Sequence, residues 1–161
     1  MIVVTVGSML PFDRLIRLTD QWAADHPDED LYAQIGGGTY EPRHKRWARL
    51  LSRQDFAEVV TDAKLIVGHA GIGTIVMAQE MSKPVLVLPR RFDLQEHTND
   101  HQLHTAKWLA DKEGIFIATT DEDLRRTLTV LAKQDLAVTS SLGSVAPSGF
   151  TSRIRAFLID G

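Results

Sequence analysis

The 161-residue sequence contains no cysteine. That removes disulfides and thiolate metal sites and leaves no sign of an oxidising compartment. Charge of one sign is scarce as well. A formal net charge of -3 gives no electrostatic footprint for nucleic acid, and no basic stripe interleaved with aromatics occurs. No apolar run approaches the roughly 18 residues that a membrane span requires. The opening MIVVTVGSM has neither the basic start nor the long apolar core of a signal peptide, and reads as a first strand. Internal repeats are missing too. What these absences leave is a soluble, cytoplasmic chain whose 43% hydrophobic content can bury one good core.

What is present is alternation. Short apolar runs at Ile2 to Val6, Leu31 to Ile35, Lys64 to Val67, Val85 to Leu88 and Ile115 to Ile117 predict buried strands. Helical spacing predicts helices between them. One, after Pro11, carries Leu15, Ile16, Leu18 and Trp22; others cover Asp55 to Asp62, Gly73 to Ser82, the stretch through Ala106, Trp108 and Leu109, and Asp121 to Lys133, the last capped by Thr119 or Thr120. The basic stretch Thr39 to Arg53 looks irregular, anchored by Trp47, Leu50 and Leu51. Strands alternating with helices predict an α/β fold, a parallel sheet with helices on both faces. Residues 1–138 make one domain in this reading, and 139–149, rich in Ser, Gly and Ala, a flexible linker. In 150–161, Phe150, Ile154, Phe157 and Leu158 recur at i, i+4, i+7 and i+8, an amphipathic terminal helix that either caps its own sheet or docks on a partner.

The most informative segment is VGHAGIGT, Val67 to Thr74, where a predicted strand meets a predicted helix through glycines. A helix N-terminus presents free N–H groups and the positive end of its dipole, which suits a phosphate or diphosphate. Gly71 and Gly73 let the backbone approach such a ligand, Thr74 adds a hydroxyl and His69 an imidazole. The segment lacks the Gly-Lys-Ser/Thr ending of an NTPase loop. In a parallel sheet, ligands bind at the carboxyl ends of the strands. Gly7–Ser8, Gly36–Gly38 and Pro89–Arg91, which follow other strands, are therefore expected to line the same crevice. Arg90 and Arg91 read either as neutralisers of a diphosphate or as a solvated rim pair.

A second polar run, Glu96 to His104, holds His97, His101 and His104 at i, i+4 and i+7, on one face of a helix that starts early enough. Three readings stand: a metal site built with Asp93, Glu96 and Asp100, an exposed first turn, or a hydrogen-bonding wall for a polyhydroxyl ligand. The wall is preferred, because the density of neutral donors and acceptors suits sugar hydroxyls, and no metal is expected. The Asp-Glu-Asp triplets at 28–30 and 121–123 read as structural, one in a turn and one in the first turn of a helix.

The run from Ala63 to Ala106 resembles the glycosyltransferase family 28 C-terminal domain, through His-Ala-Gly-x-Gly-Thr, Lys-Pro-x-x-x-x-Pro-Arg-Arg and Glu-His-x-Asn-Asp-His-Gln. The opening VTVGSMLPFDRLI resembles that family too. Within it, the chain is similar to the small donor-binding subunits of two-subunit transferases, of the dolichol-linked and bacterial exopolysaccharide types. The resemblance implies the C-terminal half of a GT-B enzyme, a Rossmann-like domain that holds a UDP-sugar as donor substrate and needs no cofactor. It implies a diphosphate site at Gly7, Ser8, His69, Gly71, Gly73 and Thr74, joined by Arg90 and Arg91. It places Glu96, Asn99, Asp100, His101 and Gln102 at the sugar. Where many relatives carry a ribose-binding acid this sequence has Met77, and Glu80, one turn on, is the candidate replacement. It further implies a membrane-associated partner that supplies the acceptor site and general base, recruitment to the inner membrane face, and a lipid-linked glycan acceptor for the transferred hexose. The rival reading is a non-catalytic enhancer subunit.

Overall fold

The β-branched apolar runs form strands and the periodic segments pack across them. The computed structural model of the protein describes residues 1–134 and Leu136. In chain order the elements are β1 (Ile2–Thr5), α1 (Asp13–Asp25), β2 (Leu31–Gln34), β3 (Arg46–Ala48), α2 (Arg53–Thr61), β4 (Leu65–His69), α3 (Ile72–Glu80), β5 (Val85–Leu88), α4 (His101–Leu109), β6 (Ile115–Ile117) and α5 (Asp121–Ala132). The expected linker at 139–149 and terminal helix at 150–161 lie outside the described residues.

All five strand pairings are parallel, in the order β3-β2-β1-β4-β5-β6. This is the Rossmann arrangement, with helices on both faces as predicted. Successive residues of a strand point to opposite faces, so each strand feeds two cores. Val4, Val67, Leu86 and Leu88 pack beneath α1 and α5 with Leu15, Ile16, Leu124 and Leu128. On the other face Val3, Ile66, Val85 and Val87 meet Val60 of α2, Ile75 and Ala78 of α3, and Ala106 and Leu109 of α4.

The chain departs from expectation in three places. Arg46–Ala48, expected to be irregular, pairs with β2 as the edge strand of the sheet. The strand before the glycine turn runs on to His69, which places that side chain at the carboxyl end of the sheet. The helix carrying Ala106 begins only at His101, so His97 lies before it and the three histidines share no helical face. Trp108 of the same helix is 67% exposed.

The sheet order reverses between β1 and β4, which are neighbours in register from Ile2↔Leu65 to Thr5↔Gly68. Crossovers leave these two strands in opposite directions and open a crevice above their carboxyl ends. Everything that follows is built around that point.

Candidate functional site

A cleft of about 330 Å³ opens at the reversal, lined among others by Thr5, Gly7, Ser8, His69, Gly73, Thr74 and Arg90. Its volume lies at the lower end of the range of small-molecule sites, roughly 300–1,000 Å³. Two loops that are remote in sequence, one after β1 and one after β4, supply most of its polar wall.

Gly7 turns the chain at the end of β1 with φ +74, a left-handed conformation that side chains rarely adopt. Its N–H donates to Thr5 Oγ1 at 3.1 Å. A Cβ at Gly7 would stand 2.7 Å from Cε1 of His69, and one at Gly71 would be 2.7 Å from Cδ2 and closer still to Nε2. The imidazole thus lies between two glycines, half-buried at the mouth of the cleft. Thr74 Oγ1 stands 3.5 Å from its Nδ1. Burial, aided by the nearby charges of Arg90 and His97, pushes the His69 pKa down to about 4. The ring is therefore neutral at neutral pH and acts as a hydrogen-bonding group rather than a cation.

Gly71 is the N-cap of α3 and carries no side chain to cap it. The space over Gly73 is open, with no atom within 4 Å of an added Cβ. The first-turn amides of α3 and its dipole thus face the cleft uncapped, an anion-binding arrangement.

Arg90 follows β5 and is 3% exposed. Its Nη2 donates to the carbonyls of Val6 (2.9 Å) and Leu10 (2.6 Å), and its carbon Cζ lies 5.1 Å from the centre of the Phe12 ring. Burial lowers its pKa to about 10, so it stays protonated at neutral pH. Arg90 therefore clamps the loop after β1 while lining the cleft. Its Nε is buried without a hydrogen-bond partner among the described residues. Arg91 does not line the cleft and forms a two-point pair with Asp93, at 2.9 and 2.5 Å.

Over residues 1–141 the chain matches the glycosyltransferase family 28 C-terminal domain. The chain belongs to that family. No curated protein matches it significantly. Among solved structures, this family 28 domain is similar to MurG of Acinetobacter baumannii, at 20% identity and a TM-score of 0.65, covering 97% of this chain and 49% of that one. It is similar to ALG13 at 16% identity and a TM-score of 0.60, covering 99% and 96%. A UDP-GlcNAc 2-epimerase from Neisseria meningitidis, bound to UDP-GlcNAc, gives 10% and 0.60, covering 99% and 44%. At these identities the likeness is one of fold, that of the C-terminal half of GT-B glycosyltransferases. The domain spans about half or less of the length of MurG and of the epimerase.

Of the expected diphosphate residues, Gly7, Ser8, His69, Gly73, Thr74 and Arg90 line the cleft and Gly71 adjoins it against the His69 ring, whereas Arg91 does not line it. The expected sugar residues do not line it. Glu96 accepts from Arg14 Nη2 at 2.7 Å and from the Arg91 N–H at 3.0 Å. Gln102, 2% exposed, accepts the Arg90 N–H at 3.0 Å. Asp100 accepts from the Phe92 N–H, and Asn99 from the His101 N–H and ring. Their hydrogen bonds organise the segment from Arg90 to Gln102 itself. Glu96 and His97 also line an adjacent hollow of about 560 Å³, with Leu10, Pro11 and Phe92.

Gly36–Gly38, expected in the crevice, do not line it; Gly38 instead packs against the Asp13 carboxylate. Met77 is in the wall, whereas Glu80 sits exposed at the last position of α3 and lines no part of the cleft. No group of three His, Asp or Glu side chains among the described residues is placed to hold a metal ion. His97 and His101 touch edge to face at 4.4 Å between ring centres, and His104 is exposed on α4. The triplet acids form ion pairs with other segments of the fold: Asp121 pairs with Arg14 at 2.7 Å and Asp30 with Arg46 at 2.9 Å.

Thr5, Met9, Gln34 and Phe56 complete the cleft together with Met77, and these four carry no site reading in the sequence. For Thr5 and Gln34 a signal existed: each is a polar residue ending an otherwise apolar strand, at the edge where this sheet type binds ligands. Met9 and Phe56 carried no local signal.

Proposed function

We propose that this domain is the UDP-sugar-binding catalytic subunit of a hexosyltransferase acting in exopolysaccharide or surface-glycan synthesis. One observation carries the reading: the uncapped α3 N-terminus, the neutral His69 and the Gly7–Ser8 loop converge on one cleft at the sheet reversal. A diphosphate there meets amides, an imidazole, two hydroxyls and the buried Arg90 cation. The fold neighbour with UDP-GlcNAc bound supports the ligand class.

The donor is glucuronosyl, galactosyl or N-acetylglucosaminyl UDP, and the acceptor is a lipid-linked glycan. Gly7, Ser8, His69, Gly71, Gly73, Thr74 and Arg90 hold the diphosphate. As the bond between the sugar and the β-phosphate breaks, charge grows on departing UDP, and the helix amides, fixed before the reaction, stabilise it without reorganising. No metal or cofactor is required for this role. The hexose extends toward the adjacent hollow, along the segment 91–102 that carries Arg91, Glu96, Asn99, Asp100, His101 and Gln102. Glu80 has no part in this site.

The acceptor's general base and membrane recruitment come from a membrane-associated partner on the cytoplasmic side. Met9, 88% exposed, and Phe92, 56% exposed, supply apolar surface beside the two hollows for it. Among the described residues no helix is long and apolar enough to cross a membrane. A second reading, a non-catalytic enhancer subunit, is favoured by Met77 standing where an acid would hold the ribose.

Thermal denaturation tests the site. UDP at millimolar concentration should raise the Tm, and His69→Ala should weaken that rise; no shift would sink the donor-site reading. Transfer assays with and without a co-purified partner separate the catalytic subunit from the enhancer.

A further inference from the structure

The cleft has two chemically distinct ends. Gly7, Ser8, His69, Gly73, Thr74 and Arg90 form the polar end already described. Gln34, Phe56 and Met77 come from other elements, β2, α2 and α3. Phe56 and Met77 both pack on the apolar cluster beneath that face of the sheet, so they present a backed, non-polar wall. Such a wall suits a flat heterocycle better than it suits a hydroxylated sugar.

Gln34 is the hydrogen-bonding side chain among these three. It terminates β2, is 7% exposed, and pairs in register with Thr5 of β1. Its Oε1 accepts the N–H of Leu51 at 3.1 Å, just before α2. That bond settles the orientation of the amide, because only the oxygen can accept from an N–H. Nε2 then has no partner among the described residues, yet it is not one of the enclosed unpartnered atoms. The atom keeps solvent access, on a residue that lines the cleft. A carboxamide with its acceptor committed is a pure donor toward a ligand.

We propose that Gln34 is a specificity-determining residue that selects a keto-bearing nucleobase, donating Nε2–H to the 4-carbonyl of a pyrimidine. The assignment rests on the nucleotide-sugar reading of the cleft and deepens it. Uracil offers an acceptor at that position; cytosine offers an amino group, so two donors would face each other and neither would be satisfied. The fixed Leu51 bond makes the discrimination rigid, since the amide cannot rotate to offer its oxygen without releasing the start of α2.

Gln34→Glu is the informative variant. The carboxylate still accepts from Leu51 but turns an acceptor, not a donor, toward the ligand. Its charge repels UDP and CDP alike, so the ratio of their dissociation constants isolates the base contact. Titration calorimetry of the full chain at pH 8 should show UDP favoured over CDP by about tenfold in the unsubstituted protein, and that preference lost or reversed in Gln34→Glu. A ratio unchanged by the substitution overturns the assignment to Gln34 while leaving the nucleotide site intact. If the unsubstituted protein binds neither nucleotide, the underlying reading fails instead. A ligand-side series needs no variant: affinity should fall from UDP through 4-thio-UDP, a weaker acceptor, to CDP. Equal affinities across the series overturn the proposal even if Gln34→Glu does not fold.

Discussion

The imidazole of His69 occupies the space that a side chain on Gly71 would need: a Cβ there would collide with Nε2 and stand 2.7 Å from Cδ2. The last residue of one strand and the cap of the next helix are thus mutually exclusive in volume. Gly71 has φ -87, so the requirement is one of space, not of backbone conformation.

Gly71→Ala should therefore displace the ring or the start of α3. Overpacking of this kind costs about 1–3 kcal/mol. Urea denaturation should show the loss together with a weakened UDP-induced Tm shift. Gly73→Ala, facing open space, should leave stability within about 1 kcal/mol. Equal costs for the two substitutions would contradict the packing described.

His69 also ties stability to pH. Its pKa is about 4 in the folded protein against 6.5 unfolded. Between those values the unfolded chain binds the extra proton, so stability must fall as pH drops from 6.5 toward 4. At 1.36 kcal/mol per unit the loss is at most about 3 kcal/mol. His69→Gln should flatten that part of the profile. An unchanged slope would mean the ring is better solvated than its position implies.

Arg14 joins three segments, pairing with Glu96 of the 90–102 segment and Asp121 of α5, and donating to the Pro89 carbonyl at 3.1 Å. The Arg14–Glu96 pair is largely shielded, with side chains 16% and 11% exposed. A double-mutant cycle of Arg14→Met and Glu96→Gln should give a coupling energy of about 1–3 kcal/mol. A value near zero would show that the segment is held by its other bonds.

Lys45 donates to the Ile16 carbonyl and to Thr19 Oγ1 under α1, and burial lowers its pKa to about 7, opposed by Asp20. The unfolded value is 10.5, so the unfolded chain holds the extra proton between pH 7 and 10.5. Stability contributed by this residue should rise across that window. Denaturation of the native protein and Lys45→Met at pH 7 and pH 10 should show the native protein gaining relative to the variant.

Much of this molecule is local in origin. The β-branched runs at Ile2, Val85 and Ile115 and the caps at Ser52 and Thr120 act within a few residues, through backbone preference and the helix period. The glycine turn after Val67 belongs to the same class, and so did the expectation of an anion site there. Arg46–Ala48 escaped because a three-residue edge strand needs only ladder bonds to β2, and its one large apolar residue, Trp47, leaves no periodic trace.

Sequence alone determined the alternating elements, the glycine turn and the residue types available to a phosphate, because those depend on neighbours along the chain. Tertiary structure alone decided which of them meet. The pairing of β1 with β4 puts Gly7 against His69 and makes one cleft of two distant loops. The same packing turned Glu96 and Gln102 inward to Arg14 and Arg90, and brought Gln34 and Phe56 into the wall. Strand order and the partners of buried polar groups are set by the whole core at once, and no local pattern encodes them.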